Sequence, residues 1–233
     1  MNFLAHYYVA TRLQPASVPH SIYTVGTSLP DLLPLASPRT RLRYSLLGQT
    51  ASTPTEDFAL TAGIRSHLAA DTAFHKSLAF AEAQSKAGQF LAAAGFAEIR
   101  VRRFFVAHIM VELALDAALL RETPHLGVEF YDAFSAADYG SITLWTEAAI
   151  AHPLPNLPSV LVRFANSRYL MHYLSDEGVA QGLSLLCTRA RQDSFEGENF
   201  TRLTDAVGQM VEYLYPRIAA LLTEAAQPPT IPK

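Results

Sequence analysis

A markedly apolar segment from Phe104 to Asp116 contains three ionisable side chains at intervals of four residues: His108, Glu112 and Asp116. Its composition predicts a helix, and residues four apart on a helix share one face. Burying three such groups without partners would be costly. The fold must therefore supply partners for them, and a shared metal ion would remove the cost.

A second segment, from Gly63 to His75, repeats this spacing. His67, Asp71 and His75 fall at positions i, i+4 and i+8, so they also share one helix face. Ligands paired in this way on two facing helices can converge on one point between them. His75 has a simpler interpretation as an exposed residue near a helix end.

These patterns predict a divalent-metal site, with His67, Asp71 and His108 facing one pocket. An apolar N-terminal turn and a chain reversal after Pro30 favour two additional ligands. The complete predicted set is His6, Asp31, His67, Asp71, His108, Glu112 and Asp116. Mixed imidazole and carboxylate ligands suit manganese, iron, zinc or magnesium and disfavour copper(I).

A purely structural network of carboxylates and histidines is the alternative. In that case Glu112 would form a salt bridge with an arginine such as Arg65 or Arg103. Asp116 would pair with Arg103 or Arg121 in the same way.

The chain has 233 residues, of which 50% are hydrophobic, and alternating strand patterns are scarce. We expect an all-α, compact, single-domain helical bundle over residues 1–226, followed by a frayed, proline-rich tail at 227–233. Cys187 is the only cysteine, which excludes an internal disulfide and a thiolate zinc site. A net charge of −3 without a basic stripe argues against nucleic acid as a partner. The absence of a signal peptide and of a long apolar run predicts a cytoplasmic protein with no membrane span.

Proline positions and apolar periodicity predict the helix boundaries. Pro30 suits a helix start or a tight turn, and Pro34 is expected to interrupt the chain after it. Thr53 and Pro54 resemble a helix entry. Further helices are expected from Asp57 to Phe80 with a break near His75, at Tyr139 to Ile150, at Pro158 to Leu174, at Asp176 to Arg191 with Ser175 as cap, and at Asn199 to Ala225.

Five segments resemble the bacterial acyl carrier protein phosphodiesterase family, in the same order along the chain. They are the opening Met1–His6, the Gly26–Asp31 segment, the Gly-Ile-x-x-His-x-x-x-Asp helix at Gly63–Asp71, the Ala107-His108 pair and the closing Tyr-Pro-Arg element at Tyr215–Ile218. The family has an Asp-His pair where this chain has Ala107 and His108.

The resemblance implies a fold distantly related to HD-type phosphohydrolases and an enzyme that depends on a divalent metal, typically manganese. The family hydrolyses the phosphodiester that joins phosphopantetheine to a carrier-protein serine. An acyl carrier protein or a small phosphodiester is therefore the expected partner. Transferred to this chain, the metal shell is His6, Asp31, His67, Asp71 and His108, with Asp31, His67 and Asp71 as catalytic residues.

Ala107 departs from the family pattern, and we expect Glu112, or else Asp116, to replace the missing carboxylate. Two other functions stay open. The chain could be a catalytically inactive helical module that keeps the fold for binding or structure. It could also be an HD-like hydrolase of a small phosphorylated metabolite or a lipid headgroup.

Overall fold

The computed structural model describes residues 1–13, 20–47, 55–96, 103–190 and 195–226. These residues are predominantly helical, and none of them lies in a β-strand. The prediction of an all-α fold is therefore confirmed. Within the same ranges, no helix combines the length and the apolar character that a membrane crossing requires.

The helices of the described ranges have the following bounds. In chain order they are α1 (Phe3–Leu13), α2 (His20–Ala36), α3 (Thr55–Lys76), α4 (Leu78–Leu91), α5 (Arg103–Glu122), α6 (Leu126–Ser135), α7 (Tyr139–Ile150), α8 (Leu157–Ser167), α9 (Asp176–Arg189), α10 (Gly197–Leu214) and α11 (Ile218–Ala225). Short 3₁₀ segments lie at Tyr44–Leu46, Tyr169–Leu174 and Tyr215–Arg217, and a π-helical turn lies at Ala92–Phe96.

The chain divides into two compact units, each built from separate stretches. Unit 1 comprises Met1–Ala5, Ala73–Leu126 and Tyr169–Glu224, and unit 2 comprises His6–Thr72, Gly127–Arg168 and Ala225–Lys233. The single domain over 1–226 stays a prediction. The helix entry predicted at Thr53 and Pro54 and the tail at 227–233 lie outside the described residues.

In unit 2, helix α2 continues through Pro30 and Pro34. The expectation that Pro30 would start a helix or turn, and that Pro34 would interrupt one, is therefore wrong. A proline inside a helix removes one backbone hydrogen bond and crowds the preceding turn. The helix persists because Leu29, Leu32 and Leu33 on it are fully buried, and burying a leucine side chain contributes about 2 kcal/mol.

Two glycines in unit 2 permit a close crossing of α2 and α3. A Cβ atom on Gly63 would lie 2.4 Å from the carbonyl oxygen of Tyr23 and 3.0 Å from the Cα atom of Gly26. Any larger residue at Gly63 would therefore force the two backbones apart. The crossing positions two of the predicted metal ligands, since Asp31 follows it on α2 and His67 follows it on α3.

In unit 1, a serine ends α3 and starts α4. The break that the sequence predicted near His75 falls at Ser77, whose hydroxyl oxygen accepts a hydrogen bond of 3.0 Å from the backbone N–H of Phe80. Serine at this position satisfies an N–H group that the first turn of a helix cannot pair internally. The cap therefore fixes the chain direction directly after His75.

The core of unit 1 surrounds α5, which packs against α4, α9 and α10. Val111, Ala114, Leu115 and Ala118 on α5 are all fully buried. The helix predicted at this apolar segment is thus confirmed, and its polar residues must find partners within a packed interior.

Two long helices predicted from the sequence are each broken in the structure. The one expected from Pro158 to Leu174 ends at Ser167, where Arg168 adopts a left-handed conformation with φ of 44° before a 3₁₀ segment begins. The one expected from Asn199 to Ala225 is divided at Pro216, which lies in a 3₁₀ turn. Proline cannot donate the backbone hydrogen bond that would continue α10.

Candidate metal centres

The first group of potential ligands belongs to unit 2 and consists of His6 on α1, Asp31 on α2 and His67 on α3. We refer to these three residues as the first cluster. One ligand atom from each lies within 4.8 Å of the other two. The two imidazoles are buried, whereas the side chain of Asp31 is 42% exposed. The cluster therefore has a rigid nitrogen side and a solvent-accessible carboxylate side.

A backbone carbonyl fixes the tautomer of His67. Its Nδ1 lies 2.7 Å from the carbonyl oxygen of Thr27. Because a carbonyl oxygen only accepts, Nδ1 donates, and Nε2 of the neutral ring presents a lone pair. This Nε2 lies 3.7 Å from Oδ1 of Asp31. Histidines that bind metals commonly donate their other ring N–H in this way.

His6 adds a second imidazole and brings a further carboxylate close. Its ring stacks on that of His67, with centroids 3.8 Å apart and planes inclined by 18°. Its Nε2 lies 3.8 Å from Oδ1 of Asp71, one turn beyond His67 on α3. This distance, like that from His67 to Asp31, exceeds the hydrogen-bond range. A cation at about 2.0–2.2 Å from two ligand atoms can bridge a gap of this size. The donor set of His6, Asp31 and His67 therefore fits a divalent ion.

The second group belongs to unit 1 and consists of His75, His108 and Glu112, which we call the second cluster. Nε2 of His75 lies 3.1 Å from Nε2 of His108 and 3.0 Å from Oε1 of Glu112. Nε2 of His108 lies 3.2 Å from the same oxygen. The two rings are stacked, with centroids 4.8 Å apart and an angle of 8° between planes.

Residue spacing in the sequence predicted His108 and Glu112 as metal ligands but did not include His75 among them. His108 and Glu112 are four residues apart on α5, which brings them together as predicted. His75 lies in the last turn of α3 and is 27% exposed, but its ring is also in direct contact with both of these residues. Its spacing of eight residues from His67 was the available signal.

Glu112 is the charged centre of the second cluster. Burial raises the pKa of its carboxyl group, but the α-ammonium group of Met1 and hydrogen bonds from His108 and His75 outweigh this effect and hold the pKa well below its usual range. The Met1 nitrogen donates to Oε1 over 3.1 Å. The α-amino group thus takes the place that the structural alternative gave to an arginine.

Asp116 is fully buried and caps the N-terminus of α1, from which it is distant in sequence. Its carboxylate accepts hydrogen bonds from the backbone N–H groups of Leu4 and Ala5, over 3.0 and 2.8 Å, and from the side-chain amide of Asn2 over 2.9 Å. These backbone donors belong to the first turn of α1, which has no internal acceptors for them. Burial raises the pKa of Asp116 to about 7, although the Leu4 and Ala5 N–H groups oppose the rise.

The seven predicted ligands are divided between the two units. The structure brings His6, Asp31 and His67 together with Asp71 beside them, joins His108 to Glu112, and leaves Asp116 as the anchor of α1. The pocket expected to unite His67, Asp71 and His108 stays a prediction, since His108 belongs to a different unit.

Arg121, one of the two arginines predicted as partners of Asp116, pairs with a different carboxylate. Arg121 pairs with Asp176 on α9 through a contact of 2.7 Å. Asp116 is instead satisfied by backbone and amide donors within unit 1.

Comparison with known proteins identified no relative of this chain. No protein-family model, no curated protein and no solved structure matches the chain.

Proposed function

We propose that this protein is a metal-dependent phosphodiesterase whose divalent ion is held by His6, Asp31 and His67, with Asp71 as a further carboxylate. The observation that carries the proposal is the hydrogen bond from His67 Nδ1 to the Thr27 carbonyl oxygen. This bond turns the Nε2 lone pair of a buried histidine toward an exposed carboxylate. A histidine prepared in this way beside a second buried imidazole is typical of a metal ligand.

The ligand chemistry favours manganese and also suits iron, zinc or magnesium. Two imidazoles with one or two carboxylates provide both nitrogen and oxygen donors, which these ions accept. Such an ion, when bound, lowers the pKa of a coordinated water and neutralises charge on a phosphoryl oxygen. Asp31 is the exposed member of the set and therefore the residue best placed to meet substrate and water.

The resemblance to acyl carrier protein phosphodiesterases supplies the proposed substrate and extends the proposal to an HD-like fold and a cytoplasmic location. The bond to be cleaved is the phosphodiester between phosphopantetheine and a carrier-protein serine. In this reaction the side chains of the first cluster hold the ion, and the carbonyl of Thr27 keeps the His67 ring in the required orientation.

The test is hydrolysis by the full chain after chelation and addition of Mn²⁺. Two substrates are used: bis-p-nitrophenyl phosphate, and holo-acyl carrier protein followed by mass spectrometry. We expect manganese-dependent hydrolysis that falls about 100-fold or more in Asp31→Asn and in His67→Gln. Release of phosphopantetheine, as opposed to hydrolysis of the small diester alone, identifies the carrier protein as substrate.

Asp132→Asn is the matched control for the carboxylate substitution. Asp132 lies on α6 of the same unit and pairs with Arg168 at the surface, so the substitution should leave hydrolysis unchanged. Equal activity of wild type and Asp31→Asn on both substrates would remove the first cluster from the reaction.

A second candidate function is a helical binding or structural module without catalysis. The observation in its favour is Ala107, which stands where the resembling family has an aspartate and is itself buried. The same experiment separates the two, because such a module would hydrolyse neither substrate, with or without added Mn²⁺.

A further inference from the structure

The second cluster is held rigidly by aromatic packing within unit 1. The ring of Phe80 meets those of His75 and His108 edge-on, with centroids 5.0 and 5.1 Å away. Phe74 packs against His75 in the same manner at 5.4 Å. Phe80 is itself placed by the cap at Ser77. Side chains fixed in this way pay little conformational entropy when they bind a ligand.

The three polar atoms of the cluster form a triangle that hydrogen bonds alone do not satisfy. Its edges, His75 Nε2 to His108 Nε2, His75 Nε2 to Glu112 Oε1 and His108 Nε2 to Glu112 Oε1, measure 3.1, 3.0 and 3.2 Å. Each neutral imidazole nitrogen carries at most one hydrogen, and the ionised Glu112 carries none. Two hydrogens cannot form three well-aligned bonds, so one edge always brings like groups together.

One cation would satisfy all three atoms at once. Ligands about 2.0–2.1 Å from a tetrahedral zinc ion lie roughly 3.3 Å from one another, close to the observed edges. Oε1 of Glu112 has a second lone pair for the hydrogen bond from Met1, and this bond fixes the carboxylate. Two imidazoles and one carboxylate form a ligand set that proteins use for zinc, with a fourth position left for water.

We propose that the second cluster is a zinc site formed by His75, His108 and Glu112, separate from the ion of the proposed phosphodiesterase. Its ligands join the last turn of α3 to the middle of α5 within unit 1. Binding to the folded state alone stabilises the protein by an amount that rises with the logarithm of the zinc concentration above the Kd. The site is therefore expected to secure the α3–α4 corner, and no reaction is assigned to it.

The test counts zinc equivalents bound by the chelated full chain, with titration calorimetry and elemental analysis. We expect two equivalents in the wild type, one for each cluster. His75→Ala and His108→Ala should each lose one equivalent or bind it at least about tenfold more weakly. Both histidines are partly exposed, at 27% and 29%, so these variants are expected to fold. Mg²⁺, which binds mainly oxygen ligands, should not fill the site.

Two controls make the result specific to this cluster. His152→Ala removes an exposed histidine that contacts only the neighbouring backbone among its described interactions, and it should keep both equivalents. Asp31→Asn should weaken the first equivalent and leave the second intact. Substitution with Co²⁺ gives an independent signature, since the visible absorption contributed by a tetrahedral Co²⁺ ion at the second cluster should be lost in His108→Ala and persist in Asp31→Asn.

The outcomes distinguish this proposal from the proposed function. One equivalent that Asp31→Asn removes and His75→Ala does not would overturn the second site and leave the phosphodiesterase proposal standing. One equivalent that only the His75 and His108 variants remove would support the second site and overturn metal binding at the first cluster. A single equivalent lost in all three variants would show one shared ion and contradict the separate zinc site.

Discussion

The two clusters contain similar ligands but are assembled by different forces. In the first cluster, backbone contacts do the positioning: α2 and α3 approach at Gly26 and Gly63, and the Thr27 carbonyl orients His67. In the second cluster, the side chains of His75, His108 and Glu112 contact one another directly at 3.0–3.2 Å. A set of potential metal ligands can therefore be assembled either by a helix crossing or by direct side-chain pairing.

This difference also separates the carboxylates by exposure. Asp31 in the first cluster is 42% exposed, whereas Glu112 in the second is 14% exposed and carries a partner in the Met1 α-ammonium. A solvent-exposed carboxylate can exchange ligands with water, whereas removal of one partner from a buried, paired carboxylate destabilises the fold. We therefore expect substitutions in the first cluster to change mainly the activity and substitutions in the second cluster to change mainly the free energy of unfolding.

The largest effect is predicted for Gly63→Ala. The added Cβ atom would meet the Tyr23 carbonyl oxygen at 2.4 Å, and a backbone atom cannot move aside as a flexible side chain can. Overpacking of this kind costs about 3 kcal/mol in the free energy of unfolding, measured by urea denaturation. Separation of α2 from α3 should also abolish metal binding at the first cluster while the second cluster keeps its ion.

Gly88→Ala on α4 is the matched control for that substitution. A Cβ atom there would meet nothing within 4 Å, and alanine favours a helix by up to about 1 kcal/mol over glycine. This variant should be as stable as the wild type or more so. Equal stability of Gly63→Ala and Gly88→Ala would show that the helix crossing does not depend on glycine.

The sequence predicted the features that depend on residue spacing within one helix. It did not predict the features that depend on backbone groups distant in sequence. The all-α fold and the contact between His108 and Glu112 follow from periodicity along single helices. The acceptor for His67 Nδ1 is a carbonyl forty residues away in sequence, and no side-chain pattern encodes it. The persistence of α2 through Pro30 was missed for the same reason, because tertiary burial outweighs the local preference of proline.

An intermediate effect is predicted for Asp116→Ala in unit 1. The substitution leaves the buried N–H groups of Leu4 and Ala5 without the carboxylate that accepts from them. Each buried donor that loses its acceptor costs about 1–3 kcal/mol. The variant no longer buries a carboxyl group, which offsets part of this cost, so we expect a net loss of about 2 kcal/mol in unfolding free energy. Hydrogen exchange should show the first turn of α1 opening more readily. Unchanged protection of the Leu4 and Ala5 amides would contradict this role.

Asp116 also predicts a direction for the pH dependence of stability. Burial raises its pKa from 3.8 to about 7 in the folded protein, with the Met1 α-ammonium lowering it and Glu112 raising it. The folded state therefore keeps a proton that the unfolded chain releases above its ordinary pKa. The contribution to stability is full below pH 3.8 and is lost as the pH rises toward about 7.

The measurement for this pH effect is urea denaturation at pH 5 and at pH 7.5. The difference in unfolding free energy between wild type and Asp116→Asn should shift against the wild type at the higher pH. Effects of pH that do not involve residue 116 are common to both proteins and cancel in the difference. A difference that is constant across this range, or that moves in the wild type's favour, would refute the raised pKa of Asp116.

The smallest effect on stability is predicted for Asp31→Asn, and it tests the contrast between the clusters most directly. Asp31 is the same residue type as Asp116, but its side chain is 42% exposed and lies 3.7 Å from His67 Nε2, too far for a hydrogen bond. Without metal, the substitution should change the unfolding free energy by less than about 1 kcal/mol, as is usual for exposed positions.

With saturating Mn²⁺, the wild type should gain stability by binding the ion only in its folded state, and Asp31→Asn should gain less. The measurement is the melting temperature of both proteins over a Mn²⁺ titration, with Asp132→Asn as control. If Asp31→Asn unfolds several kcal/mol more easily without metal, Asp31 is a structural residue of α2, and if both proteins gain equally from Mn²⁺, the ion binds elsewhere.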